Sequence, residues 1–254
     1  MSQTPFTGNT RQPPADTPDP TATGSTVIAQ PAPDNVNSRI AFNSAKFTQS
    51  ASRLANCPPD NGVEIAFAGR SNAGKSSAIN VITQNKKLAR TSKTPGRTQL
   101  LNFFDLNVPG VRLVDLPGYG FAKVSLDMKA EWGKHLDDYL RNRVGLAGLV
   151  LIMDIRKPLT PFDEILLEWT NNRNLPTLIL LTKADKLNFG PGKQTVLQIK
   201  KTLSEHQALV DVILFSSLKK TGVKETHQAL TRIIQQRILE NQTAPAEAPE
   251  NDEH

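Results

Sequence analysis

The sequence predicts a three-layer α/β fold: a mostly parallel sheet of six strands with one antiparallel edge strand, and helices on both faces. Three observations carry this reading. Short, wholly apolar runs alternate with helical stretches, which calls for strands buried on both faces. Two of the runs, QLLNFFDL over 99–106 and VRLVDL over 111–116, flank the turn NVPG and read as an antiparallel pair. The first run opens directly into a glycine-rich loop that leads into a helix.

In chain order the strands are VEIAFAG (63–69), the antiparallel pair, GLVLIMD (148–154), TLILLT (177–182) and DVILFS (211–216), with helices expected over 75–84, 128–143, 161–172, 192–206 and 221–239. Trp132 and Trp169 fall in helical stretches and are assigned to packing. A chain of 254 residues suits one good core. Residues 1–35 hold seven prolines among small polar residues and 241–254 are acidic, so both read as disordered tails. Residues 36–60 read as an extension packed on the core through Ile40, Phe42, Phe47 and Leu54, and 61–240 as the domain itself. No apolar run approaches the ~18 residues of a membrane span, so no membrane insertion is expected. The N-terminus lacks the basic start and apolar centre of a signal peptide. A single cysteine, Cys57, fits a reducing cytosol, so a cytoplasmic location is expected; the chain is expected to be a monomer. His135, His206, His227 and His254 have no metal-ligand spacing.

The net charge of +6 is unevenly spread. The two tails are negative, and residues 36–240 carry 29 Lys and Arg against 17 Asp and Glu, a charge of +12. A core this basic favours a polyanionic partner. Arg141, Arg143, Arg156 and Lys157 read as an extension of that basic face.

The motifs narrow the chemistry. GRSNAGKS, Gly69 to Ser76, has the full G-x-x-x-x-G-K-S spacing after a strand and before a helix, where backbone N–H groups and the helix end favour a diphosphate. Gly69 and Gly74 allow the wrap, Lys75 reaches the terminal phosphates, and the Ser76 hydroxyl suits Mg²⁺. That loop alone leaves ATP, GTP and kinases open. In LVDLPG, Asp115 stands to reach the metal through water and the Gly118 N–H to sense a terminal phosphate. In TLILLTKAD, Asp185 follows a buried strand at the carboxyl edge of the sheet, where a carboxylate accepts from guanine N1–H and its 2-amino group but is repelled by adenine N1. The stem of Lys183 suits the flat face of the base. Ser216 and Ser217 offer backbone N–H groups to the guanine oxygen, or serve as an ordinary helix cap. Ala89 to Thr98 then falls where a nucleotide-sensing loop belongs, with Thr98 completing the metal shell and Lys86, Lys87, Arg90, Lys93 and Arg97 giving the loop a basic surface.

These motifs resemble those of the bacterial EngB/YihA/YsxC GTPases, of the translation-factor-related class. The likeness rests on GRSNAGKS, TSKTPGRTQ at 91–99, DLPGYG at 115–120, TKAD at 182–185 and SSLKKTG at 216–222, and covers about residues 36–240. It implies a P-loop GTPase domain. It also implies nucleotide contacts from Gly69, Arg70, Ser71, Asn72, Ala73, Gly74, Lys75, Ser76 and Ser77, from Gly96, Arg97 and Thr98, and from Asp115, Leu116, Pro117 and Gly118. The base side would be Thr182, Lys183, Ala184 and Asp185 with Phe215, Ser216 and Ser217. Ser76 and Thr98 would be the Mg²⁺ ligands, and Lys75, Asn72 and Gly118 the catalytic groups, Asn72 standing where related GTPases hold K⁺. Such proteins act in assembly of the large ribosomal subunit, which implies an rRNA partner, and in division-septum formation. Thr182 stands where many GTPases carry Asn, and Phe121 where Tyr is more usual. Tyr119 occupies the position of the water-orienting Gln of Ras-like enzymes, which implies slow turnover. Two alternatives remain: a ribosome-binding module stabilised by nucleotide with negligible turnover, and an ATP-using phosphate-loop enzyme.

Overall fold

The computed structural model describes residues 39–90, 100–119 and 136–243. Seven strands and their helices follow in the order β1 (Lys46–Ala51), β2 (Val63–Gly69), α1 (Lys75–Ile82), β3 (Leu101–Asp105), β4 (Val111–Asp115), β5 (Leu146–Asp154), α2 (Pro161–Asn172), β6 (Thr177–Thr182), α3 (Phe189–Thr202), β7 (Leu209–Leu214) and α4 (Val223–Thr243). Residues 136–142 are also helical. The sheet order is β1-β3-β4-β2-β5-β6-β7. β2 pairs in parallel with β4 and β5, and β6 in parallel with β5 and β7, while β3 runs antiparallel to β4.

The sheet therefore has one strand more than the six expected. KFTQSA, read as part of an extension, pairs antiparallel with β3 and takes the edge. Its sequence hid this because most of its residues are polar and exposed, so no alternating apolar signal marks it. A register shift between Phe47 and Gln49 and the exposed Lys46 blunt the open edge. Phe47, expected to pack the extension inward, is 56% exposed, with its ring edge-on to that of Phe104 at 6.2 Å between centroids. Ile40 and Phe42 are buried and Leu54 partly so. Phe42 stacks on His227 at 4.7 Å, and the His227 ring nitrogen contacts the Ile82 carbonyl at 2.8 Å. The residues before β1 are thereby tied to both α1 and α4.

Continuous apolar strands build two cores, one on each face. In β2, Ile65 and Phe67 pack with Ala78, Ile79 and Ile82 of α1 and with Leu230, Ile233 and Ile234 of α4. The intervening Ala66 and Ala68 face Tyr139, Leu140, Leu166, Leu167 and Ile199. α2 starts where its sequence provides a capping box: Asp163 accepts from the Thr160 N–H at 2.8 Å and from its hydroxyl at 2.7 Å, and Pro161 fills the first turn. α4 continues to Thr243, past the expected boundary at 240. Residues 1–35, and the rest of the expected acidic tail, lie outside the described residues, as do Trp132 and the first part of the helix expected over 128–143. Among the described residues no helix is long and apolar enough to cross a membrane. Burial pushes the Cys57 thiol up to about 11, so it is protonated at neutral pH and a poor nucleophile.

At the end of the sheet where β2 and β5 begin, a buried polar network replaces apolar packing. Glu64, 1% exposed, accepts from the Arg143 guanidinium at 2.6 and 2.9 Å and from the Tyr139 hydroxyl at 2.9 Å. Arg143 also donates to the Pro58 carbonyl at 2.8 Å, and Asp60 accepts from the Val144 and Gly145 N–H groups at 2.8 and 2.7 Å. Arg143 is thus an interior brace, and its expected place on a basic face is corrected: a buried carboxylate recruits it. Arg143→Ala leaves the buried Glu64 with Arg112 at 3.5 Å as its remaining cationic neighbour, so about 3 kcal/mol of stability is lost. Tyr139→Phe removes one neutral donor and costs about 1–2 kcal/mol. Urea denaturation of both variants checks the order.

Candidate functional site

The phosphate loop leaves the carboxyl end of β2 between β4 and β5. A Cβ on Gly69 would stand 2.8 Å from the Ile152 carbonyl oxygen, so only glycine lets the loop rise beside β5. Gly74 has φ 105°, a left-handed turn that starts α1 without steric cost. The first helical bond runs from the Ala78 N–H to the Gly74 carbonyl, 2.8 Å, so the N–H groups from Gly74 to Ser77 are the unpaired donors of a helix start. The Ser71 and Ala73 N–H groups are engaged with the Tyr119 and Arg70 carbonyls at 2.8 and 2.9 Å.

The loop is held from behind by the end of β6. The Thr182 hydroxyl, 2% exposed as a residue, donates to the Ala73 carbonyl and lies 3.0 Å from that of Met153. The next residue, Lys183, has φ 59°, and its ammonium donates to the Asn72 carbonyl at 2.7 Å. Two consecutive loop carbonyls are therefore drawn outward. The same ammonium meets Asp154 at 2.9 Å, and Asp154 in turn grips Arg156 at 2.6 and 2.9 Å. Arg156 first, then Lys183, hold the Asp154 carboxyl well below the usual carboxylate range. A cavity of about 450 Å³ opens here, lined by Arg70, Asn72, Asp154, Lys157, Thr160 and their neighbours.

Beside the loop, Asp115 ends β4 and its carboxylate pairs with the Lys75 ammonium. Leu116 is buried and donates its N–H to the Phe67 carbonyl at 3.0 Å. Pro117 then turns the chain into Gly118, which packs beside Ser71 of the loop, where a Cβ would be in van der Waals contact with the Ser71 Cα at 3.4 Å. The carboxylate and the Ser76 hydroxyl in the first turn of α1 are hard oxygen donors suited to Mg²⁺, a metal that takes few protein ligands when phosphates supply the rest. No cluster of three or more His, Cys, Asp or Glu fit for a metal occurs among the described residues.

Tyr119 does not face the phosphate site. It is 1% exposed, donates its hydroxyl to Asp163 and stacks on Phe162 at 4.2 Å. Burial, and then the Asp163 charge, push the phenol well above its ordinary value. Its backbone is stitched to the loop, N–H to the Gly69 carbonyl at 3.3 Å and carbonyl to the Ser71 N–H at 2.8 Å.

On the base side, the Asp185 carboxylate accepts from the Ser216 hydroxyl at 2.6 Å, which lowers its pKa. The Ala184 N–H donates to the carbonyl of the buried Phe215 at 3.1 Å, joining TKAD to the end of β7. The Ser216 N–H is taken by the Thr221 carbonyl at 3.1 Å, and its oxygen accepts the Lys219 N–H at 3.1 Å. Of the serine pair, the Ser217 N–H is the one left for a base oxygen. Gly96, Arg97 and Thr98 lie outside the described residues, with Lys93. Lys86, Lys87 and Arg90 are exposed on a loop anchored by Asn80, whose amide donates to the Lys86 and Ala89 carbonyls at 3.2 and 2.9 Å and accepts the Ala89 N–H at 2.7 Å. Sequence reasoning missed Asn80, Asp154 and Asp163. Asp154 carried a readable signal, since it ends an apolar strand as Asp115 does.

Known proteins resemble this chain in both sequence and fold. Residues 64–183 match the family model for 50S ribosome-binding GTPases. The chain is 55% identical over 192 residues to a probable GTP-binding protein EngB from Aeromonas hydrophila, covering 76% of this chain and 88% of the relative. It is 58% identical over 176 residues to the counterpart from Acinetobacter baylyi, covering 69% and 74%. Among solved structures, a probable GTP-binding protein engB superposes with a TM-score of 0.56 at 21% identity, over 69% of this chain and 100% of the other. Era from Aquifex aeolicus bound to GDP·AlF4⁻ gives 0.55 at 22% identity, over 67% and 56%. At such identities the structures speak for the fold.

Asp185→Asn replaces an acceptor-only group by one that offers N–H to the base edge. Affinity for GDP and GTP falls by about 2 kcal/mol or more. Calorimetry with Mg²⁺ checks this, with equal ATP and GTP binding by the unmodified protein as the contradicting result.

Proposed function

Given that the chain belongs to the EngB family of GTP-binding proteins, we propose that it hydrolyses GTP slowly to GDP and phosphate and works as a nucleotide switch in assembly of the large ribosomal subunit. Normal septum formation at division depends on that work. The observation that carries the guanine part is the joined base side: Asp185 is set by Ser216, and Lys183 is anchored at its ammonium, leaving its stem to cover the base. An ATP-using enzyme has no use for a carboxylate there.

In the proposed site Ser76, and in the GTP state Thr98, would hold Mg²⁺, with Asp115 reaching it through water, and the ion would supply positive charge to the phosphate oxygens. Lys75 moves from Asp115 to the terminal phosphates, and the Gly118 N–H meets the third one. Phosphoryl transfer needs positioning and charge more than a base. The residue after D-x-x-G supplies neither, because Tyr119 is committed to Asp163 and Phe162. Slow turnover follows. Asn72, turned by a φ of 63°, is the proposed ligand for K⁺, the remaining source of charge on the transition state. The partner is rRNA of the large subunit, met by the +12 core and by Lys86, Lys87 and Arg90 beside the sensing loop, and bound more tightly with GTP than with GDP. The description of the matched family as 50S ribosome-binding GTPases supports that partner. The chain acts as a monomer in the cytoplasm.

The buried Tyr119 also favours a second reading, a nucleotide-stabilised rRNA-binding module with negligible turnover. GTP turnover with and without purified large subunits separates the two. The switch reading expects stimulation by subunits, higher turnover in K⁺ than in Na⁺ at matched ionic strength, loss of that difference in Asn72→Ala, and little change of rate in Tyr119→Phe. Turnover indifferent to subunits and to K⁺ would leave only the binding module.

A further inference from the structure

A second cleft, of about 440 Å³, lies at the opposite end of the sheet, where β5 and β6 begin. The length of β5 separates it from the phosphate loop by roughly 25 Å. Its walls come from the turn after residues 136–142, the last turn of α2 and the second half of α4, and three of its lining residues are arginines.

The three differ in what they have left to bind. Arg143 is consumed by Glu64 and the Pro58 carbonyl. Arg173 donates one nitrogen to the Arg141 carbonyl at 2.9 Å, lies over the Trp169 ring at 5.4 Å, and has no carboxylate partner among the described residues. Arg237 donates to the Val144 carbonyl at 2.9 Å and stands 3.6 Å from Glu240, while its Nε is buried with no hydrogen-bond partner. A buried guanidinium donor without an acceptor is costly, and its natural partner is an oxygen of an anion. The cleft therefore combines two incompletely satisfied guanidinium groups, a single carboxylate and a guanidinium stacked on an indole.

We propose that this cleft binds one nucleotide of single-stranded RNA. Its phosphodiester sits between Arg173 and Arg237, and its base lies against the Arg173–Trp169 plate. Unstacked bases rest on such guanidinium and aromatic planes, whereas a carboxylate from an acidic peptide would leave the plate unused. The volume lies within the ~300–1,000 Å³ of small-molecule sites. The inference rests on RNA as the partner, but not on nucleotide switching, because none of these residues belongs to the phosphate loop or the sensing loop.

The test uses the full chain saturated with Mg²⁺ and, in parallel arms, with GDP or a non-hydrolysable GTP analogue, so that the phosphate loop is occupied. The probe is fluorescein-labelled hexauridylate, followed by anisotropy across a salt series. Trp169 emission is read in parallel in a Trp132→Phe background. Arg173→Gln and Arg237→Gln are each expected to weaken binding about tenfold and to lower the salt slope by about one. The Lys86→Gln, Lys87→Gln, Arg90→Gln triple variant keeps the saturable Trp169 response. Arg237→Lys, which retains charge but not the Nε fork, loses most of the same affinity and guards against a misfolded Gln variant, with melting curves as the control. Loss confined to the triple variant overturns this site and leaves the function proposed above. Loss in the Arg173 and Arg237 variants with no GTP-over-GDP preference keeps the site and removes the switch. An unresponsive Trp169, no binding by the unmodified chain, or tighter binding of hexaglutamate than of hexauridylate overturns the proposal.

Discussion

The attachment of the phosphate loop to the end of β6 is the interaction on which the site depends. A loop that wraps a diphosphate must turn its N–H groups toward the ligand, so its carbonyls need acceptable partners elsewhere. Here the Ala73 carbonyl meets the Thr182 hydroxyl and the Asn72 carbonyl meets the Lys183 ammonium. The same two residues lead into Asp185, so the proposed phosphate and base halves of the site share one short piece of backbone. A chain that lost this attachment would lose the loop's shape and the placement of Asp185 together.

The parallel sheet makes the attachment possible. β2, β4, β5 and β6 point their carboxyl ends at one edge, and each delivers something polar there: the loop itself, Asp115, Asp154 and Thr182. This is the edge at which open α/β sheets bind ligands. Asp154 illustrates the economy of the arrangement, since one carboxylate fixes Lys183 and is itself fixed by Arg156. The other end of the sheet is stiffened by the Glu64–Arg143–Tyr139 network. Stability and chemistry are thus placed at opposite ends of the same strands.

The parallel strands and the loop motifs were legible because they depend on local pattern: apolar runs of strand length, glycines at fixed spacing, a carboxylate at a strand end. β1 was not, since an exposed edge strand of Lys, Thr, Gln and Ser carries no burial signal and is held by backbone bonds to β3. Tyr119 was legible as a missing glutamine but not as a buried residue, because Asp163 comes from a helix 44 positions further on. Arg143 looked like surface charge for a similar reason, its partner Glu64 lying 79 positions earlier inside a strand that reads as apolar. Such long-range pairs leave no mark on either local sequence. Thr182 was read as a base-side contact standing where many GTPases carry Asn, and its bond to the phosphate loop became visible once the Ala73 carbonyl was placed against it.

The attachment is tested most directly at Thr182, where valine preserves shape and removes the hydroxyl. The rate of release of a fluorescent GDP analogue, measured by stopped flow for the unmodified chain, Thr182→Ser and Thr182→Val, gives the answer. Serine is expected to release at nearly the unmodified rate, and valine about tenfold faster or more, because the buried Ala73 carbonyl is left without its donor. Equal release from the valine variant and the unmodified chain, with unchanged thermal stability, would contradict the claim that this bond holds the phosphate loop in its binding shape.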